Sequence, residues 1–328
     1  MKDDNAHYLI TGATGYIGRM LTEYLVDGGS HVTIIIRDAD RCSGSIKRMI
    51  AQKRVDYKIC DLTDTCAVDS ITDSYDYVIH LAAATQSAVM INQPVQVADG
   101  IVIGTRNILE LARRCNVKSM VYVSSMEIYG YICSGTERTS EDTLGEINIL
   151  SARSCYPMGK RMAEQYCYDY YSQYKLPVKI ARLAQTFGKG VSPEDNRVFM
   201  QFVKAVYEKR NIILKTKGMS YGNYCEISDA IRGILTILQA GNDGEADNVV
   251  NEDTTMRISD MAGMAAEHLA DNQIEVVYDI DDTGSSGYAP DTELRLSGDK
   301  LEKLGWRPTK GLLDMYRDML DEYSNNIE

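Results

Sequence analysis

Three glycines spaced Gly12-x-x-Gly15-x-x-Gly18 stand between an apolar run at residues 8–11 and a helical pattern at residues 19–27. Few folds need that spacing in that place. The first glycine permits a tight turn, the second lets backbone approach a pyrophosphate, and the third lets a helix pack against the preceding strand. The N-terminus of such a helix offers free N–H groups and a partial positive charge to phosphates. Glycines near a turn can be plain punctuation, but between a strand and a helix they predict dinucleotide binding. Gly28-Gly29 then ends the helix, since glycine accepts a left-handed cap.

The rest of the first half supports that expectation. Strand-like runs follow at residues 31–36, 57–60, 77–81, 119–124 and 178–183, with helices at 95–114 and 156–174. The run at 31–36 is β-branched and suits a strand buried on both faces. Strand and helix alternating about every 25 residues predict an α/β fold with a Rossmann-type, doubly wound parallel sheet. Past residue 185 the rhythm changes. Helices are expected at 196–208, 228–238, 257–269 and 312–324, and short strands at 212–214, 248–250 and 274–277. A loop rich in Asp, Gly and Ser spans 279–290. The expected division is a dinucleotide-binding domain over 1–185 and a mainly substrate-binding C-terminal lobe over 186–328.

Composition narrows the partners. Of 328 residues, 35 are basic and 47 acidic, a net charge of −12, which argues against a non-specific nucleic-acid or anionic-membrane binder. The eight cysteines form no CxxC pair and the four histidines are widely spaced, which argues against a zinc site. No stretch approaches the ~20 apolar residues of a membrane span, and the N-terminus lacks an apolar targeting core. A cytoplasmic protein with reduced thiols is expected.

Candidate site residues sit at the ends of the expected strands. After the second, Arg37 could pair with a 2′-phosphate, favouring NADP, whereas Asp38 could still reach a ribose hydroxyl, favouring NAD. Asp61, after the third, suits an adenine amino group or an N-cap. Ser125 and Glu127 follow the fifth, where α/β sheets build sites; Glu127 is either a second acid or a solvated loop carboxylate. Tyr156 and Lys160 are one helical turn apart and share a face. An ammonium beside a phenol lowers its pKa from about 10, making Tyr156 a candidate general base. In a chain with 22 tyrosines, Tyr-x-x-x-Lys alone also arises by chance.

Taken together, these motifs resemble the extended short-chain dehydrogenase/reductase family, in its NAD-dependent nucleotide-sugar epimerase/dehydratase branch. The matching residues are residues 11–18 (TGATGYIG), Asp61-Leu62, His80-Leu81-Ala82-Ala83, residues 124–130 (SSMEIYG), Tyr156 with Lys160, Ala181-Arg182-Leu183, Thr186-Phe187-Gly188, Ser228-Asp229 and Leu304-Gly305-Trp306. The resemblance implies a cofactor, NAD or NADP, held by Gly12, Thr14, Gly15, Tyr16, Ile17, Gly18, Arg37, Asp61, Leu62, Leu81, Ala82, Ala83, Tyr156 and Lys160. It implies a nucleotide-sugar substrate against Ser125, Met126, Gln185, Arg197 and Val198, and a homodimer built on the helices at 95–114 and 156–174. The implied chemistry is transient oxidation at C4 of the sugar. Tyr156 is the base, Lys160 holds the ribose and lowers the tyrosine pKa, Ser125 steadies the forming carbonyl, and Glu127 acts on the ketone.

Two stretches look closest to the UDP-glucuronate decarboxylases: Ser125-Met126-Glu127-Ile128-Tyr129-Gly130 and residues 154–164. A 4-epimerase, a 4,6-dehydratase and a 4-keto reductase remain alternatives, as does a non-catalytic regulator on the same fold. Met126 stands where dehydratases carry an Asp. Ile101, Gln185 and Gly222 replace a family Asn, Asn and Arg, and Arg295 is out of register with the decarboxylases' Arg-x-Pro.

Overall fold

The computed structural model describes residues 6–132, 137–280 and 291–327. The first half runs β1 (His7–Thr11), α1 (Tyr16–Asp27), β2 (His31–Ile36), α2 (Gly44–Ala51), β3 (Asp56–Ile59), α3 (Thr65–Asp69), β4 (Tyr77–His80), α4 (Ser87–Asn92), α5 (Pro94–Cys115), β5 (Ser119–Ser125), α6 (Cys155–Tyr174) and β6 (Val178–Leu183). The second half runs β7 (Gln185–Phe187), α7 (Val198–Tyr207), β8 (Ile212–Leu214), β9 (Tyr221–Glu226), α8 (Ile227–Ala240), β10 (Ala246–Val249), β11 (Asn251–Arg257), α9 (Ile258–His268), β12 (Val276–Tyr278), α10 (Asp299–Lys303) and α11 (Leu312–Ile327).

Seven parallel strands form the main sheet in the order β3-β2-β1-β4-β5-β6-β10. The direction of winding reverses between β1 and β4, which opens the crevice where such sheets bind ligands. Every residue of β2 after His31 is buried, as its β-branched run predicts. Fully burying one such side chain stabilises the fold by roughly 1.5–3 kcal/mol. One face of the sheet packs on α1 and α8, with Leu21, Ile34 and Ile234 inaccessible to solvent. The other packs on α5 and α6, with Ile108, Leu111, Tyr122 and Cys167 in its core.

The two long helices have clear ends. Pro94 opens α5, where its missing N–H costs nothing. Asn116 and Lys175, both left-handed, close α5 and α6 and donate their N–H groups back to the last turns. A second sheet, β11-β9-β7, and the parallel pair β12-β8 pack with α7, α9 and α11 around Phe187, Phe199, Tyr224 and Tyr316. Among the described residues, no helix is long and apolar enough to cross a membrane.

Several expectations change. α1 begins at Tyr16, so Gly18 lies inside the helix, where Thr22 donates its hydroxyl to the Gly18 carbonyl at 2.7 Å. Gly28 is not left-handed; Gly29, at φ +85°, makes the turn alone. The strands expected at 248–250 and 274–277 are shifted to Ala246–Val249 and Val276–Tyr278. Of the expected 279–290 loop, residues 281–290 lie outside the described residues. A cut at residue 185 does not follow the packing, because α8 covers the main sheet and β10 pairs with β6. Residues 227–249 therefore return to the first layer.

Asp229 fastens the C-terminal segment to α8. Its carboxylate accepts from the Thr309 N–H and hydroxyl, both at 2.7 Å, and from Arg232. Trp306 donates to the Asp229 carbonyl at 3.0 Å. The Ser-Asp and Leu-Gly-Trp motifs are thus two halves of one clasp.

Candidate active site

The glycine loop folds as its spacing demands at two of its three positions. Gly12 has φ +80°, and a Cβ there would lie 2.9 Å from the Ala82 nitrogen. A Cβ on Gly18 would sit 2.2 Å from the Gly12 carbonyl oxygen. Gly15 differs: its added Cβ would meet only the Gly12 oxygen, at 3.4 Å. Its surroundings leave room for a ligand, and both Thr14 and Gly15 are exposed. Gly15 is the N-cap of α1, which has no side-chain cap and no acidic residue in its first turn. Those bare N–H groups fit the phosphates of a dinucleotide.

Tyr16 and Ile17 are half-buried. The Tyr16 hydroxyl donates to the Lys189 carbonyl at 2.8 Å, and Arg19 to the Gly190 carbonyl at 2.7 Å, tying the loop after β7 to the helix start. Leu81, Ala82 and Ala83 continue from β4 beneath the loop. Thr11 holds them there: its hydroxyl accepts from the Ala82 N–H at 3.2 Å and bonds His80 Nδ1 at 2.6 Å, while His80 Nε2 meets Thr105 at 3.1 Å. Burial pushes the His80 pKa down to about 3, so the ring is a neutral strut.

Arg37 and Asp38 are both exposed past β2. Asp38 accepts from the Asp40 N–H at 2.9 Å and so caps its own turn. Asp61 accepts from the Thr63 N–H and hydroxyl at 2.9 and 2.8 Å. These bonds hold its carboxyl below the usual range, and the charge of Arg37 adds to them. The helix N-cap offered as one reading of Asp61 belongs to Asp64, which accepts from Ala67. Leu62 is buried, and its carbonyl accepts from Asn107 at 2.8 Å.

At the end of β5, Ser125 Oγ accepts from the Glu127 N–H at 3.2 Å, and its hydroxyl is near enough to Tyr156 to favour the phenolate. Tyr156 lies in the first turn of α6, 5% exposed. Its pKa is pushed up to about 12, by burial first and the Glu127 charge second, against the Ser125 hydroxyl and Arg153. This corrects the expectation of a phenol lowered by Lys160. The lysine amine instead donates to the Val123 carbonyl at 2.8 Å and stands 5.9 Å from the centre of the Tyr156 ring. Burial draws Lys160 itself down to about 8.

The Glu127 side chain is one-third exposed. Arg153 grips it with two bonds, of 2.8 and 3.0 Å. A bidentate guanidinium fixes the orientation of a carboxylate. Arg153 escaped the sequence reading, although it lies one turn ahead of Tyr156. Also missed was the buried pair of Arg182 and Glu164 at 2.8 Å. Glu164 accepts from Ser124 at 2.5 Å, and Arg182 donates to Tyr129 at 3.1 Å, bracing the turn that carries Glu127. Glu164 stands one turn past Lys160 on the same helix face, a spacing that could have signalled it.

On the substrate side, Met126 packs against the cluster of Ile128, Tyr129, Leu294 and Leu296. Gln185 is half-buried on β7, opposite Tyr224. Val198 opens α7. Arg197 is exposed, pairs with Asp195 at 2.7 Å and covers the Phe199 ring. A Cβ on Gly222 would fall 2.0 Å from the Tyr224 hydroxyl, so tyrosine fills that space. Ile101 is buried against Gly159, where it serves the contact of α5 with α6.

Comparison with known proteins places this geometry. Residues 8–251 match the model of the NAD dependent epimerase/dehydratase family. UDP-glucuronic acid decarboxylase 6 of Arabidopsis thaliana is 27% identical over 241 residues, covering 73% of this chain and 68% of that protein. The dTDP-D-glucose 4,6-dehydratase of Dictyostelium discoideum is 29% identical over 265 residues, covering 77% of this chain and 59% of that protein. Among solved structures, UDP-glucose 4-epimerase of Thermotoga maritima with UDP-glucose superposes with a TM-score of 0.82 at 20% identity, over 98% of this chain and 100% of its own. The UDP-glucuronic acid 4-epimerase of Bacillus cereus, in complex with UDP-glucuronic acid and NAD, gives 0.79 at 21%, over 98% and 99%. The structural likenesses speak for the fold.

Proposed function

The chain belongs to the NAD-dependent epimerase/dehydratase family of enzymes, and from that membership we propose that it oxidises a nucleotide-linked sugar transiently at C4 and releases a C6 carboxylate as CO2. Glu127 carries the decarboxylase reading. Arg153 holds it oriented near Tyr156, while the neighbouring Met126 offers no acid to protonate a leaving hydroxyl.

Thr14, Gly15 and the N-terminus of α1 would hold the cofactor phosphates, Arg37 and Asp61 its adenosine end, and Leu81–Ala83 with Tyr156 and Lys160 its nicotinamide end. When bound, the cofactor supplies a hydride acceptor. Tyr156 takes the proton of the C4 hydroxyl, and Ser125, beside Tyr156, holds that oxygen as it becomes a carbonyl. The carbonyl withdraws electrons through C5, so the bond to a C6 carboxylate can break with its electron pair held as an enolate. On this reading Glu127 manages the proton at C5. The first 185 residues serve the cofactor and the catalytic groups; residues 186–328 serve mainly the substrate, apart from the stretch returned to the main sheet.

Incubation with UDP-glucuronate, read by mass spectrometry, tests the reading: a product lighter by one CO2 supports it. An unchanged mass with altered retention replaces it with 4-epimerisation. For the cofactor, Arg37 favours NADP, because a charge-assisted bond to the 2′-phosphate contributes about 1.5–3 kcal/mol. Titration calorimetry showing equal or tighter NAD binding would contradict that preference.

A further inference from the structure

Lys160 is a cation deep in the first layer, 2% exposed. Its amine donates to the Val123 carbonyl of β5 at 2.8 Å and stands 4.7 and 5.9 Å from the centres of the Tyr122 and Tyr156 rings. None of its titratable neighbours on these elements answers the charge. His80, on β4, is neutral. Burial holds the phenols of Tyr122 and Tyr156 and the thiol of Cys167 protonated. The carboxylate whose charge reaches Lys160 is that of Glu164, one turn further along the same face of α6 and itself 8% exposed.

Glu164 does not bond the lysine. Its oxygens are engaged by Arg182 at 2.8 Å and Ser124 at 2.5 Å, and Arg182 is anchored in turn on Tyr129 and on the Glu141 carbonyl. The carboxylate is thus held in place and acts on Lys160 through its field, which a buried, poorly screened site keeps strong. Burial lowers the lysine to about 8, and Glu164 opposes that fall. A lysine ammonium has three donors, and Val123 takes one. We propose that Glu164, fixed by Arg182 and Ser124, is a positioning residue that keeps Lys160 in the ammonium form and so ready to donate to the nicotinamide ribose. The proposal rests on the contact of Lys160 with the cofactor given above. A charge-assisted bond is about twice as strong as a neutral one, so loss of the proton weakens that contact. Without Glu164 the amine gives up its proton at lower pH.

The test is NAD binding to the full chain by titration calorimetry from pH 6 to 9, without turnover. Wild type should hold its affinity at low pH and lose it as pH rises through about 8. In Glu164→Gln the loss should begin about one pH unit lower, so that binding matches wild type at pH 6 and is about fivefold weaker at pH 8. Because this variant leaves Arg182 buried and unpaired, Glu164→Gln combined with Arg182→Met removes both charges and should show the same shift with a wild-type unfolding midpoint. Glu164→Asp, which restores the charge, should return the loss to the wild-type pH. A profile unmoved in both Gln variants would overturn the role of Glu164, as would equal weakening at pH 6 and pH 8, the mark of a merely structural pair. Lys160→Met should bind NAD weakly at every pH, with no inflection near 8. If it keeps the wild-type affinity and profile, the lysine contact falls and the role of Glu164 with it. If the inflection disappears in Lys160→Met yet stays in place in the Glu164 variants, the contact stands and Glu164 alone is dismissed.

Discussion

Asp247→Asn should stabilise the protein at neutral pH. Asp247 is 1% exposed on β10, and neither of its carboxylate oxygens has a hydrogen-bond partner among the described residues. Burial pushes its pKa up to about 6; Lys300 opposes this, and Glu141 and Glu245 reinforce it. An unfolded aspartate titrates near 3.9, so the native shift of about two units corresponds to about 3 kcal/mol of penalty on the charged form. Local relaxation reduces this, and a cost of about 1–3 kcal/mol is expected. Because the folded pKa is the higher one, the penalty is absent below about pH 4, grows as pH rises to 6, and is complete above it. Asparagine has nearly the same shape and never ionises. Urea unfolding of both proteins between pH 4 and 8 should therefore show near-equal stability at pH 4 and a gain of about 1–3 kcal/mol for the variant at pH 7.5. A variant no more stable than wild type at pH 7.5, or a difference that does not shrink toward pH 4, would refute the reasoning. The site bears on function, because the next residue, Asn248, accepts from the Tyr129 hydroxyl at 2.7 Å and so steadies the turn of Glu127.

Tyr156→Phe keeps the ring in its buried place and removes the base, so turnover should fall by roughly 10²–10⁴ while the unfolding midpoint and cofactor affinity hold; stopped-flow and calorimetry check both. Glu127→Gln should leave C4 oxidation intact but stall at the ketone, seen as reduced nicotinamide accumulating with substrate and little product. It also removes a charge that raises the Tyr156 pKa, so the titration of Tyr156 should move to lower pH; full activity with an unmoved profile would sink the role. A homodimer is expected through Val95, Met158 and Met162, apolar residues exposed on α5 and α6. Sedimentation at micromolar concentration should show twice the mass of one chain, and a single-chain species would dismiss it.

Much of the fold was legible because its signals are local. The runs at 31–36, 178–183 and 212–214 became strands with those bounds; the first two are buried on both faces, and in the third Ile212 and Leu214 are buried while Ile213 is exposed. The glycine spacing and the turn between Tyr156 and Lys160 are equally local. β9, reading Tyr-Gly-Asn-Tyr-Cys-Glu, has neither alternation nor a β-branched run, and tertiary pairing alone makes it a strand. The return of β10 to the main sheet is likewise a long-range event. The site divides along the same line. Residue types at strand ends pointed to Ser125 and Glu127. The partners that set their chemistry, Arg153 for Glu127 and Val123 for Lys160, are 26 and 37 residues away and met only through the fold. Burial, which raises the Tyr156 pKa against the pull of any neighbouring ammonium, has no signature in a four-residue motif.

The most direct measurement is the mass of the product formed from UDP-glucuronate by the cofactor-loaded wild-type enzyme. C4 oxidation beside a Glu127 oriented by Arg153 predicts a nucleotide pentose lighter than its substrate by one CO2, formed by wild type and lost in Tyr156→Phe. A product of unchanged mass, one lighter by water, or one formed equally well by Tyr156→Phe would contradict it.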